Sequence, residues 1–192
     1  MKEFLESPHF LHTIVAEAEK NNNVARNLAS GLTEDQLNWK PAPEKWSIAQ
    51  CLEHLAVTSS KFDPYFASAL ARARKANPIK SALTYRPTLV GGWLIKQVMP
   101  EAKRKVPAPK VFRPSESSAI HGALESFLKQ QEKFLEFVLA TDGVDYNKTR
   151  LRSPVTPLMR YSLADAFVVT VVHGQRHLGQ ARRVRETPGF PN

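Results

Sequence analysis

The stretch VVTVVHGQRHLGQARRVRE, residues 168–186, has apolar residues at helical spacing and two histidines four residues apart. Four residues are slightly more than one helical turn, so His173 and His177 lie on one face and can direct their rings at one point. Gln180 follows on the same face. Neighbouring buried imidazoles each need a hydrogen-bond partner or a metal ion. The pair therefore predicts a buried helix that carries two candidate metal ligands.

The pair alone does not define a site. HGQRH lacks the glutamate that follows the first histidine in the zinc proteases, so that class of enzyme is excluded. The spacing also arises by chance on solvated helix faces. A metal site needs at least one further ligand from elsewhere in the chain.

Four segments of the chain show helical periodicity, and none shows a convincing strand alternation. We predict an all-α protein, a four-helix bundle with one long crossover connection, in a single domain over residues 1–192. The predicted helices are 8–30, ended by Gly31; 47–76, capped by Ser47 and kinked by Pro64; 115–140, capped by Ser115 or Ser118; and 162–186. Residues 77–114 form the crossover, which we expect to run from one end of the bundle to the other.

Apolar residues at helical spacing predict the buried faces of the first and third helices. In the first helix these are Phe10, Ile14, Ala18, Val24 and Leu28. In the third they are Ile120, Leu124, Phe127, Leu128, Phe134, Leu135 and Val138.

Composition narrows the class of protein. The chain of 192 residues has one cysteine, no apolar run long enough for a membrane span and no secretory pattern at its start. We therefore expect a cytoplasmic protein that does not associate with a membrane. Its net charge of +9 comes from basic residues scattered through the sequence, without interleaved aromatic residues. This favours a solvated basic surface over a nucleic-acid partner.

A third histidine strengthens the metal hypothesis. His54 lies in the middle of the second predicted helix, within WSIAQCLEHLAVTSSKF, on a stripe more polar than the leucine face beside it. Bundle metal sites are built from side chains of facing helices, so His54 can meet His173 and His177. Three nitrogen ligands leave coordination positions open, as catalytic sites do. The alternative is a core histidine bonded to a backbone group or a glutamine.

The other candidate ligands are weaker. His9 and His12 lie in the first turns of the first helix, and His121 lies out of phase with the apolar stripe of the third. Cys51 is one turn before His54, where inert packing is the commoner role. Glu53 neighbours His54 and points away from it, so no carboxylate ligand is evident.

WSIAQCLEHLA, followed more than a hundred residues later by HGQRHLGQARRV, resembles the DinB-like superfamily over nearly the whole chain. That group includes the bacillithiol S-transferases and the mycothiol-dependent maleylpyruvate isomerases. The resemblance implies a four-helix bundle with a divalent metal at His54, His173 and His177, and it suggests homodimers in a bacterial cytoplasm. Three imidazoles do not rank nickel, zinc, iron and manganese.

These observations favour a metal-dependent enzyme acting on a small molecule. The expected reaction is transfer to an anionic low-molecular-weight thiol or hydrolysis. Gln180 either orients a ligand or is a helix-surface glutamine. Arg176 or Lys61 either attracts an anionic substrate or, as is commoner for a single basic residue, belongs to the solvated surface. The alternative function is a helical bundle that binds metal or a partner without catalysis.

Overall fold

The computed structural model describes residues 2–76, 79, 83–102, 108–116, 119–156 and 158–191. This part of the chain contains seven α-helices, one 3-10 helix and two short strands, and all-α is the correct class. In chain order the elements are α1 (Lys2–Leu5), α2 (Phe10–Ala29), α3 (Glu34–Asn38), α4 (Ile48–Ala76), α5 (Leu89–Val98), the 3-10 helix (Lys110–Phe112), α6 (Ala123–Leu139), β1 (Arg150–Arg152), β2 (Arg160–Ser162) and α7 (Leu163–Arg185).

Helices α2, α4, α6 and α7 form the predicted four-helix bundle. Helices α2 and α4 lie diagonally across it, and each packs against both α6 and α7. The short helix α5 packs against the outside of α7. Among the described residues, no helix has the length and apolar character needed to cross a membrane.

Two serine caps place the helices that carry the histidines. The Ser47 hydroxyl accepts a hydrogen bond from the backbone N–H of Gln50 (3.0 Å), and Ser162 does the same for Asp165 (3.0 Å). Each partner side chain accepts a bond from the serine N–H in return, so both ends are reciprocal capping boxes. These two predicted helix starts are confirmed.

The described residues of the crossover lie along α7 and, further on in the chain, beside the first turns of α4. Tyr85 donates its hydroxyl to Asp165 in the first turn of α7, and Arg176, three turns later, donates to the Met99 carbonyl. The 3-10 helix then brings Phe112 beside His54. The connection therefore spans the bundle as predicted, and its apolar piece forms α5 under a Thr88 cap.

Several details differ from the sequence-based predictions, among them the short helix α1, which lies before the first predicted helix. Helix α6 begins after Gly122, whose φ of 62° is left-handed, rather than at Ser115; Ser118 lies outside the described residues. Strands β1 and β2 form an antiparallel pair of three residues each, too short for a recognisable alternation. The connection TEDQLNWKPAPEKW, residues 33–46, has two prolines that cannot continue a helix, yet α3 forms before the first of them.

The predicted buried residues are largely correct. Val24 is an exception, because it is 44% exposed while Asn21 and Ala25 occupy the buried face of α2. Ile120 is buried although it precedes α6, and Leu124, Leu128 and Leu135 are half-buried at the edge of its apolar stripe. The core has two main clusters, one around Phe66 and Phe167 and the other around Leu52 and Phe127.

Candidate metal centre

The three predicted histidines meet inside the bundle. His54 projects from α4 and His173 and His177 from α7, and their nearest ring nitrogens all lie within 4.8 Å of one another. The ring centroids are 4.5–5.1 Å apart. Within the described part of the chain, no other three His, Cys, Asp or Glu side chains converge in this way. The fold therefore brings His54 together with His173 and His177, as the sequence predicted.

A backbone carbonyl fixes the ring of His54. Nδ1 of His54 lies 2.5 Å from the carbonyl oxygen of Phe112, and because a carbonyl only accepts, Nδ1 carries the proton. The lone pair of His54 is therefore on Nε2, which lies 3.3 Å from Nε2 of His173. Nothing in the side-chain pattern of the crossover could have revealed this contact, because a carbonyl belongs to every residue.

Gln180 holds His177 in the same way. Nδ1 of His177 lies 3.1 Å from Oε1 of Gln180, which only accepts, so Nδ1 donates and Nε2 keeps its lone pair. Such bonds to the second ring nitrogen set the tautomer of metal-binding histidines. Two of the three imidazoles thus present an unprotonated nitrogen to the centre of the cluster.

Trp46 covers one side of the cluster. Its ring lies 4.8 Å from the His54 ring and 5.6 Å from the His177 ring, centroid to centroid. In the sequence, Trp46 is the residue before the Ser47 cap and the first residue of the motif WSIAQCLEHLA. Its contact with the rings of His54 and His177 is evident only from the fold.

Burial keeps the three imidazoles neutral. Desolvation lowers the pKa of His54, and it lowers that of His173 further with help from the charges of His177, His54 and Arg176. Desolvation, then His54 and Arg176, lowers the pKa of His177 to about 3. Neutral imidazole is the form that binds metals.

The donor set fits one divalent ion. Two nitrogens bound at about 2.0–2.1 Å to a tetrahedral ion lie about 3.3 Å apart. The Nε2 atoms of His54 and His173 are already at that separation, 3.3 Å. No carboxylate of the described residues joins the group, so three neutral ligands would leave the charge of the ion uncompensated and a coordination position open.

The residues considered weaker take other roles. Glu53 accepts a bond from the Ser115 N–H, and Cys51 is fully buried in the apolar cluster around Leu52. His9 and His12 are exposed and stack on each other, while exposed His121 lies 3.5 Å from Glu34. His121 precedes α6 rather than lying on it.

The two proposed substrate-attracting residues differ in position. Arg176 is half-buried beside the pair, with Nη1 donating to Met99, and its positive charge reaches His173 and His177. Lys61 is exposed on α4, two turns beyond His54. The structure therefore places Arg176, and not Lys61, at the cluster.

Fold and site together define an all-α bundle with a central three-histidine cluster. The sequence model of the DinB superfamily matches residues 17–181, and the chain belongs to that superfamily. Comparisons with curated proteins and with solved structures found no significant match.

Proposed function

We propose that this protein is a divalent-metal-dependent enzyme whose ion is held by His54, His173 and His177. The observation that carries the proposal is the convergence of three imidazoles, two of them with the proton fixed on the outer nitrogen by Phe112 and Gln180. Membership of the DinB superfamily supports it. A divalent ion with open coordination positions lowers the pKa of a water or thiol that binds there.

The chain's own residues prepare the site for that ion. The Phe112 carbonyl and the Gln180 amide aim two nitrogens inward, so little rotamer freedom is lost on binding. Trp46 screens His54 and His177 from water on one side. The charge of Arg176 favours an anionic substrate near His173. A small anionic molecule, such as a low-molecular-weight thiol, suits this setting.

Metal content tests the ligand assignment. Protein purified without a histidine tag should contain about one first-row divalent ion per chain, nickel, zinc, iron or manganese. The triple variant H54A/H173A/H177A should contain none, while a control that replaces the exposed pair, H9A/H12A, should keep it. Full occupancy in the triple variant would refute the site.

Activity separates the two reactions and the competing function. In the metal-loaded protein, S-transfer requires an added low-molecular-weight thiol, whereas hydrolysis of ester or amide substrates does not. A non-enzymatic metal-binding or partner-binding bundle predicts metal content without turnover in either assay. The predicted homodimer and cytoplasmic location remain predictions.

A further inference from the structure

A second polar site lies at the other end of α4, where a cavity of about 710 Å³ opens to solvent. Four arginines line it: Arg72 from α4, Arg150 and Arg152 from β1, and Arg160 from β2. Arg72 is eighteen residues beyond His54, which is about 27 Å along a helix. The cavity is therefore separate from the histidine cluster, and nothing in the proposed function uses it.

The strand pairing explains why the arginines converge. Residues of one strand alternate between faces, so buried Leu151 and Tyr161 point into the core while Arg150 and Arg152 point outward. Arg152 and Arg160 are directly opposed in the register. Directly opposed like charges destabilise a strand pair. The hairpin thus keeps an arrangement that its own stability does not favour.

Arg72 is held in a defined orientation at the edge of the cavity. Its Nη1 donates to the Ser68 hydroxyl (2.5 Å) and its Nη2 to the Arg150 carbonyl (3.2 Å). A guanidinium has five N–H donors, so three remain for another acceptor. In the described part of the chain, no carboxylate lies within ion-pair distance of any of the four guanidinium groups.

We propose that this arginine cavity binds the phosphate chain of a small molecule that carries two or three linked phosphates. Guanidinium groups bind phosphate oxygens in paired, charge-assisted hydrogen bonds, and four of them can serve two phosphate groups at once. The volume lies in the range of small-molecule sites and suits a nucleotide-sized ligand. Half-buried Tyr65, also in the lining, offers a ring and a hydroxyl to the remainder of the ligand.

Calorimetric titration with inorganic pyrophosphate tests the proposal. The wild-type protein should bind pyrophosphate more tightly than orthophosphate, which spans fewer guanidinium groups. The variant R152A/R160A should bind pyrophosphate about tenfold more weakly or worse, because it loses two charge-assisted pairs. The matched control R26A/K129A also loses two exposed positive charges, from α2 and α6, and should bind as the wild type does.

Three results would overturn the proposal. Equal affinity of the wild type and R152A/R160A for pyrophosphate would mean that pyrophosphate binds elsewhere, for example at a bound metal ion. An equal loss of affinity in R152A/R160A and in the control R26A/K129A would mean that pyrophosphate is attracted by the net charge of the protein alone. Tighter binding of a single-stranded oligonucleotide than of nucleoside triphosphate would make this a nucleic-acid surface. Because opposed arginines repel, the Tm of R152A/R160A should not fall, so lost binding will not reflect unfolding.

Discussion

His54 donates its Nδ1 proton to the carbonyl oxygen of Phe112 across 2.5 Å, and this bond ties the end of the crossover to the centre of the bundle. The opposite nitrogen of the ring consequently faces His173 as an acceptor. The crossover therefore does more than connect α4 to α6, since it selects the tautomer of one proposed metal ligand.

Gln180 provides the corresponding bond for His177, and its removal should weaken metal binding. We expect Gln180→Ala to raise the Kd for the ion by about 10–100-fold, the usual cost of losing a group that orients a ligand. Competition with a chromophoric chelator measures that Kd. The control is Gln175→Ala on the same helix, whose amide bonds to Glu17 and not to a histidine. Equal Kd values for the two variants would contradict the assigned role of Gln180.

Metal removal should lower the Tm because an ion held by the three histidines would join α4 to α7. An ion at a hundred times its Kd stabilises the folded state by about 2.7 kcal/mol, which corresponds to about 5–10 °C for a chain of this size. We expect this difference between metal-loaded and chelated protein at pH 8. The difference in Tm should persist at pH 6. Burial lowers the pKa of all three imidazoles below the ordinary value of 6.5, so protons do not compete with the ion at this pH. Scanning calorimetry that shows no difference at pH 8, in protein proven to have carried metal, would refute the bridge.

The metal-free protein should itself lose stability as the pH falls. The three imidazoles have lower pKa values when folded than when unfolded, so below about 6.5 the unfolded chain binds more protons. The free energy of unfolding then decreases with falling pH until the pH reaches the pKa values of the imidazoles in the folded protein, which is about 3 for His177. Chelated protein should show a lower Tm at pH 5 than at pH 7.5. The Tm of the variant H54A/H173A/H177A should decrease less between these two pH values. An equal decrease in the variant would mean that other titrating groups cause the loss of stability.

Local signals explain which parts of this structure could be predicted. Ser47 and Ser162 are each followed three residues later by a side chain that completes the cap, and such patterns act within one turn. The histidine pair was also local, and His54 was identifiable because its stripe on the second helix is unusually polar. Short-range chemistry therefore predicted the helices that carry the site.

Contacts between distant segments explain what was missed. Phe112 acts through a carbonyl, and Trp46 reaches His54 only because the chain turns into α4. The arginine cavity joins residues of α4, β1 and β2 that look scattered in the sequence, where they indicated only a solvated basic surface. The start of α6 was misplaced because a serine is a common cap, whereas the helix begins after left-handed Gly122.

Cys51 should be unreactive in the folded protein. It is fully buried, and desolvation raises the pKa of its thiol to about 12, so almost no thiolate forms at pH 8. We expect a thiol-specific disulfide reagent to label it only on the timescale of unfolding, and rapidly in denaturant. Rapid, complete labelling of native protein would show that α4 opens locally around Cys51. Above about pH 9 the thiol ionises in the unfolded chain but not in the folded protein. The free energy of unfolding should therefore decrease as the pH rises from about 9 to about 12.

The beginning of α5 depends on close contact between a glycine and a buried carboxylate. A Cβ added to Gly91 would overlap the side chain of Asp165. Asp165 cannot move away easily, because it accepts bonds from the hydroxyls of Tyr85 and Thr88, both at 2.8 Å, and from the Ser162 N–H at 3.0 Å. The sequence GGW shows two glycines but not which of them is required.

We therefore expect Gly91→Ala and Gly92→Ala to have opposite effects. Gly91→Ala should decrease the free energy of unfolding by about 1–3 kcal/mol, the usual cost of overpacking, and disturb a cap on α7. Gly92→Ala is the matched control, since its Cβ would meet only the Pro87 Cβ at 3.8 Å, an ordinary contact. Alanine favours the helix over glycine by about 0.5–1 kcal/mol, so this variant should be as stable as the wild type or more so. Urea denaturation measures both, and equal stabilities would mean that α5 does not pack against Asp165 as described.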